Sequence, residues 1–417
     1  MEFFSRIRTQ VLSWSRDTPL PTNEPDAIPY FQSWHAFDST SNRWSRLDLG
    51  GTAGDAPATT GGRTDGAPKA EEEVEEESDE RERSRGLVLV TWNVDYSSKA
   101  PEARMAAILN HIRHLGTSAP AAPDVIFFQE VSRPALASVL RDPWIREGWY
   151  SSEAADTTTS WGKQSFATMV LVSRSRFSHA RGGGDGGGVP GKATLGAIWR
   201  VKYPSRYERD ALCCDVFLPS SSSSSSPPSS SSSSSTSQPP SPPAAPSSTT
   251  TRVRLINVHL DSLPIQPSYR PQQLSIATSM LRAAGRGLVA GDFNPVLPSD
   301  ETLLRDSRLV DAWAELRPDE PGFTWGIDGG EPFPPTRLDK VGMLGLRPEG
   351  IEVLLCGDVA ARSGSSLRRQ QQQQQQQGEE ETEGETAAGQ RQEVGGNREE
   401  MIPWSDHAGL KCSFNLV

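Results

Sequence analysis

Apolar residues along this chain fall into short unbroken runs, each ending in a small set of polar side chains. Leu87-Val88-Leu89-Val90 runs into Thr91-Trp92-Asn93-Val94-Asp95, and Asp124-Val125-Ile126-Phe127-Phe128 runs into Gln129-Glu130. Such runs predict strands buried on both faces, whose ends deliver polar groups. The pattern predicts further strands around Phe166 to Val172, Leu212 to Leu218 and Val253 to Leu260, and a short one at Gly287-Leu288-Val289-Ala290 before Gly291-Asp292-Phe293-Asn294. A helical period runs through Met105, Ile108, Leu109, Ile112 and Leu115, with Pro101 near the first turn. Ala135 to Leu140 and Pro271 to Ala284 read as further helices, Ser299 to Leu304 as a helix start, and Trp404 to Val417 as a final strand. Strands and helices alternate in both halves, which predicts an α/β fold with helices outside two packed sheets.

Composition limits how much of the chain can join that fold. The Ser/Pro tract Pro219 to Ser248, the Gly run Gly182 to Gly188, the Gln run Gln370 to Gln377 and the acidic runs Glu71 to Glu82 and Glu379 to Glu400 hold too few apolar residues to offset ordering entropy. Disorder is therefore expected in the acidic linker of the N-terminal extension 1–85 and in inserts 182–191, 219–251 and 363–400. A single domain across 86–417 remains, with roughly 250 packable residues, enough for a two-layer core. The Ser/Pro tract lies between two strand patterns and reads as an expanded hairpin loop. Segment 30–49, with Tyr30, Phe31, Trp34, Phe37, Trp44 and Leu47, is too aromatic for a linker and is expected to dock as a peripheral strand or clasp, or on a partner.

The net charge of −11 is concentrated in the two Glu-rich segments. In Gly86 to Leu218, Lys and Arg stand at 15 against 12 Asp and Glu; in Arg252 to Cys356, 11 against 14; in Met401 to Val417, 1 against 1. The domain is thus near neutral, and charge neither supports nor excludes a nucleic-acid partner. Cys213, Cys214, Cys356 and Cys412 have neither zinc-site nor disulfide-framework spacing, which suits a reducing compartment. No apolar stretch approaches a membrane span, so no stable membrane insertion is expected. Met1 to Arg16, with Arg6, Arg8 and Arg16, could form a short presequence-like helix, but Glu2 and its shortness disfavour a mitochondrial address.

Six polar motifs could carry chemistry: Thr91-Trp92-Asn93-Val94-Asp95, Gln129-Glu130, Asn257-Val258-His259-Leu260-Asp261-Ser262, Gly291-Asp292-Phe293-Asn294, Arg337-Leu338-Asp339-Lys340-Val341 and Ser405-Asp406-His407. Glu130 at a strand end would sit in a low-dielectric cleft, where a cation would compensate it; an exposed loop Glu is the plainer alternative. Asn93 alone is as well read as a turn former. In Asp292-Phe293-Asn294 an extended backbone would point an acceptor and a donor the same way, while an Asx turn before Pro295 is the structural alternative. His259 could equally be a satisfied structural residue. Adjacent Asp406 and His407 would diverge on a regular strand, so a direct bond between them is not expected. Trp325 and Phe323 could stack on a base or simply pack.

In combination and order the six motifs resemble the endonuclease/exonuclease/phosphatase superfamily of divalent-metal phosphodiesterases and phosphatases. That resemblance implies a four-layer α-β-β-α sandwich of two packed, mostly antiparallel sheets flanked by helices, with the site at one rim. It further implies Mg²⁺, with Mn²⁺ as the alternative, held chiefly by Glu130, with Asn93 and Asp406 nearby. Asp292 would orient the attacking water, Asn294 and His407 would stabilise the transition state, and Asp339 would orient His407. Asn93 and His259 would touch the phosphate, Ser262 would position a loop, and Trp325 would face the substrate; Asp95 would be an outer or substrate-side group. The strings Thr-Trp-Asn-Val-Asp, Gln-Glu-Val, His-Leu-Asp-Ser and Ser-Asp-His-Ala-Gly-Leu look most similar to tyrosyl-DNA phosphodiesterases acting on 5′-phosphotyrosyl ends. Pro295-Val296 departs from them where a basic residue follows the Asn, which bears on the grip on DNA. The implied activity is phosphodiester hydrolysis at DNA ends, in DNA repair, with nuclear or cytoplasmic residence. A phosphatase or sphingomyelinase-type hydrolase of a small or lipid phosphoester, and a non-catalytic scaffold whose low-complexity tracts bind proteins, are the alternatives.

Overall fold

A computed structural model describes residues 28–49, 86–115, 122–155, 161, 164–179, 192–219, 250–361 and 400–417. The presequence-like start, the acidic linker and the cores of the three inserts lie outside the described residues. Among the described residues the strands form two eight-stranded sheets and a two-stranded ribbon. The first sheet runs, edge to edge, through Leu346–Leu354, Gly409–Leu416, Gly86–Asn93, Val125–Ser132, Phe166–Ser173, Trp149–Ser151, His35–Asp38 and Arg43–Arg46. The second runs through Tyr30–Gln32, Ala193–Lys202, Asp210–Pro219, Thr250–His259, Gly287–Asp292, Asp339–Leu344 and Val310–Asp311, with Phe177–Ser178 pairing beside Ala193–Lys202. Most neighbours are antiparallel. Two parallel pairs, Gly86–Asn93 with Val125–Ser132 and Thr250–His259 with Gly287–Asp292, bring polar strand ends to the same rim.

Alternation along each strand sets the layers. Leu87 and Leu89 face the core between the sheets, with Phe127, Leu212, Leu255 and Leu288, whereas Val90 and Trp92 face outward against Ile108, Leu109 and Leu136. Those last three belong to helices Pro101–Leu115 and Arg133–Arg141, which cover the first sheet. Helix Arg270–Ala284 covers the second with Leu274, Ala277 and Leu281 on Ile256, Val258 and Val289. The result is the expected α-β-β-α order.

Segment 30–49 is a clasp across the two sheets. Tyr30–Gln32 pairs with Ala193–Lys202 in the second sheet, and His35–Asp38 pairs with Trp149–Ser151 in the first. Trp34 between them is fully buried, its indole N–H donating to the Gly196 carbonyl at 3.0 Å.

Several elements depart from the sequence pattern. Ala193–Lys202 is a ten-residue strand whose Ala, Thr and Gly content hides its period; Gly196 is needed because a Cβ there would lie 2.9 Å from the Asp215 carbonyl. Strand Leu346–Leu354 is masked by Pro348 and Gly350, which flank a register shift. Pro219 and Thr250 pair, so strand pairing reaches into the expected insert 219–251 at both ends. The expected helix start is a 3₁₀ turn at Pro298–Asp300 followed by a short helix, Leu303–Asp306. Trp404 to Val417 is not one strand: pairing breaks between Glu400–Pro403 and Gly409–Leu416, because the Ser405 hydroxyl turns to the Asn93 carbonyl at 2.6 Å and accepts from the His407 N–H. All four cysteines are free, and no helix among the described residues is long and apolar enough to cross a membrane.

Candidate active site

At the polar rim of the second sheet, His259, Asp292 and Asp339 are direct register partners on three adjacent strands. Partners in register present their side chains on one face, so the pairing itself gathers an imidazole and two carboxylates. Opposite them stand Asn93, at the end of its strand, and Glu130. A register shift between Phe128 and Val131 and a left-handed backbone at Glu130 (φ 58°) turn its carboxylate into the cleft instead of continuing the pleat. Behind the rim, the Gln129 amide donates to Thr91 Oγ1 and to Asn257 Oδ1, and the Asn257 amide donates to the carbonyls of Phe128 and Met169. This polar lattice bolts the two sheets together where the site needs a fixed gap.

Gly291 has φ 134° and an α-hydrogen where a Cβ would strike the Val258 carbonyl at 2.1 Å, so only glycine fits. Past it the chain is not extended, contrary to the sequence expectation. Asn294 is left-handed (φ 45°), and its N–H donates to Asp292 Oδ1 at 2.9 Å, an Asx turn. The turn and the cleft geometry coexist, because the Asn294 amide also donates to Asp292 Oδ2 at 3.0 Å and to the Leu260 carbonyl at 3.2 Å.

The groups converge within 4 Å of their neighbours. The Asn93 amide donates to Asp292 Oδ2 at 3.0 Å and to Glu130 Oε1 at 3.3 Å. His259 Nε2 lies 3.4 Å from Asp292 Oδ2 and 3.6 Å from Glu130 Oε1, buried without a hydrogen-bond partner. His407 Nδ1 stands 2.8 Å from Asp339 Oδ2, and its Nε2 is 3.9 Å from Asp292 Oδ2. Ser262 Oγ accepts from the Asn294 amide at 3.5 Å. Asp406 points to the mouth, where the Trp325 indole N–H donates to it at 3.2 Å. That bond ties Trp325 to the acidic lip, its ring only half-buried. Asp95 is occupied by Arg104, with which it forms a buried ion pair at 3.0 Å, so it anchors the loop after Asn93.

Burial separates the protonation states. It raises Glu130 to about 7, against the opposing pull of Arg209, and raises Asp292 to about 6, against His407. Burial, with Arg209 and His407, holds His259 well below its ordinary value, so it is neutral. Burial pulls His407 down as well but is outweighed: Asp339 and Asp406 hold the imidazolium well above its ordinary value. A neutral and a cationic imidazole thus flank one carboxylate.

The donor set suits a hard cation. Glu130 is a set-back carboxylate, 16% exposed, with no Lys or Arg ion pair among the described residues, and oxygen donors of Asn93 and Asp406 belong to the same rim. Among the described residues no three His, Cys, Asp or Glu side chains are arranged to hold a metal by themselves. A Mg²⁺ ion, which keeps several waters and takes one or two carboxylates plus substrate oxygens, is compatible with that set.

Three residues that no motif announced join the site. Arg209, 7% exposed, donates to Ser262 Oγ at 3.2 Å and lies over the Phe166 ring at 4.8 Å, with its Nε unpartnered. Tyr96 stacks on Phe166 at 3.9 Å, and its N–H donates to Glu130 Oε2. Tyr207-Glu208-Arg209-Asp210 carries no local signal for this role, since Phe166 and Ser262, which place the guanidinium at the site, are distant in sequence.

No curated protein sequence matches the chain. Among solved structures, TDP2 from D. rerio complexed with single strand DNA product is 16% identical, with a TM-score of 0.45 over 79% of this chain and 99% of that one. The human Nocturnin catalytic domain with bound sulfate anion is 13% identical, at 0.44 over 80% and 94%. Sphingomyelinase C from Streptomyces griseocarneus is 12% identical, at 0.42 over 79% and 99%. A profile described as the Endonuclease/Exonuclease/phosphatase family matches residues 90–407, from the strand that ends in Asn93 to His407 itself, and the chain belongs to that family.

Proposed function

We propose that the chain is a Mg²⁺-dependent phosphodiesterase that cleaves an aromatic leaving group from DNA ends, a phosphotyrosyl link being the best fit. One observation carries the substrate reading: the Tyr96–Phe166 stack with Arg209 over Phe166 forms an aromatic, cationic wall directly beside Glu130 and His259. Such a wall can hold an aryl ring and neutralise the phosphate attached to it. Arg209 also supplies the positive charge missing after Asn294, where Pro295-Val296 stands.

Asp292, with its raised pKa, is suited to orient a water and take its proton for in-line attack. The Asn294 amide and the imidazolium of His407 face the same carboxylate and so can donate to the phosphoryl oxygens as charge builds. His259, in the tautomer that protonates Nε2, donates a further bond. Glu130, with Asn93 and Asp406 beside it, would hold the Mg²⁺, which when bound supplies Lewis-acid neutralisation of the phosphoryl group. With a DNA-end substrate, the residence proposed is the nucleus or cytoplasm.

A substrate panel tests the reading. With Mg²⁺ the chain should release tyrosine from a 5′-phosphotyrosyl oligonucleotide, and Arg209→Gln should raise KM by roughly tenfold, as expected on losing one charge-assisted contact. Turnover of soluble phosphomonoesters or sphingomyelin with that oligonucleotide left intact would point instead to a small or lipid substrate.

A further inference from the structure

The N-terminal clasp has a polar tip that reaches toward the catalytic rim. Gln32, half-buried, accepts from Arg200 Nε at 3.1 Å, and its amide donates to the Ser152 carbonyl at 2.8 Å. Arg200 is 3% exposed and spends its remaining donors in four directions. Nη1 donates to Thr168 Oγ1 at 3.0 Å and to Asp210 Oδ1 at 3.1 Å, while Nη2 donates to Glu153 Oε1 at 2.9 Å and to the Thr168 carbonyl at 2.7 Å. Every nitrogen of the guanidinium is bonded, and among the described residues the Nε bond is made only by the clasp.

Two of these partners adjoin the aromatic wall. Thr168 lies two residues along its strand from Phe166 and so projects from the same face. Asp210 directly follows Arg209. Arg200 therefore fixes, on one planar fork, the strand that carries Phe166 and the first residue of the strand that Arg209 immediately precedes. We infer that Gln32 and Arg200 are positioning residues for the Arg209–Phe166 pair, which makes the N-terminal segment a working part of the active site. Loss of the Gln32 acceptor leaves a buried N–H unpaired, and the guanidinium can recover a partner only by tilting away from Thr168 or Asp210.

The inference rests on the phosphate-binding role proposed for Arg209, and a double-mutant cycle tests it in the full chain with Mg²⁺. Gln32→Ala, Arg209→Gln and the double variant are compared by KM and kcat on the 5′-phosphotyrosyl oligonucleotide, and by inorganic phosphate affinity in calorimetry. Gln32→Ala is expected to weaken KM and phosphate affinity by roughly three- to tenfold with kcat within about twofold, and to add nothing once Arg209 is Gln. A Gln32→Ala effect that multiplies with Arg209→Gln, or no effect on either affinity, overturns it. Should the wild-type chain turn over no phosphotyrosyl link, the proposed substrate fails, while the cycle read on phosphate still decides the clasp. Wild-type chain that does not bind phosphate overturns both.

Discussion

Glu130→Gln is expected to cut kcat by about 10²–10⁴-fold, the range for losing a central charged group, and in EDTA to melt no lower than the wild type. Both effects come from the same burial. Glu130 titrates at about 7 in the fold, against 4.5 ordinarily, because its carboxylate is set back in the cleft. A carboxylate with a raised folded pKa destabilises when ionised, so wild-type stability falls as pH rises from 4.5 through 7, by at most about 3 kcal/mol. Glutamine keeps an acceptor for the Tyr96 N–H, which lies 3.1 Å from Oε2, and removes the buried charge, while giving up the long bond that Oε1 accepts from the Asn93 amide at 3.3 Å. The variant should therefore lose activity together with that pH-dependent loss of stability. Thermal melts from pH 5 to 8 alongside turnover decide it; a variant that melts well below wild type at pH 8 would show that Glu130 serves the fold.

Asp339→Asn should have the next largest effect, and it should be strongly pH-dependent. Asp339 is fully buried, and its bond to His407 Nδ1 at 2.8 Å is what keeps the imidazolium charged beyond its ordinary pKa of 6.5, against the cost of burial. With the charge removed and the hydrogen-bond acceptor retained, the His407 pKa falls, and the cationic form is lost as pH rises through a lower value. The alkaline limb of the kcat profile should move to lower pH, with a loss of about 10²–10³-fold at pH 8 and a smaller loss at pH 6. An unmoved alkaline limb would mean that His407 does not act as a cation.

Strand ends and helices were legible because burial on both faces writes continuous apolar runs, as at Leu87 to Val90, and because helix Pro101–Leu115 repeats its apolar face. The site motifs were legible as strings at those ends. Pairing Asp339 with His407 came from family resemblance, since no local period links residues 68 positions apart. Three things resisted. Glu130 enters the cleft through left-handed backbone, which its residue type does not announce, whereas the Asx turn at Asn294 was an alternative that its type allowed. Ala193–Lys202 owes its place to Gly196 packing under Phe217 and Asp215, a contact that only the folded sheet defines. Arg209 gains its role from Phe166 on a distant strand and from Ser262 in the loop after Thr250–His259.

The central claim is that Glu130, Asp292, Asn294, His259 and His407 form one cation-dependent pocket that cleaves phosphodiesters. Its most direct test is p-nitrophenolate release from thymidine 5′-p-nitrophenyl phosphate by the full chain, first with Mg²⁺, then with EDTA, then with Mg²⁺ restored, beside Glu130→Gln. Turnover should be abolished by EDTA, restored by Mg²⁺, and cut by about 10²–10⁴-fold in the variant. Turnover that persists in EDTA, or that Glu130→Gln retains, would contradict it.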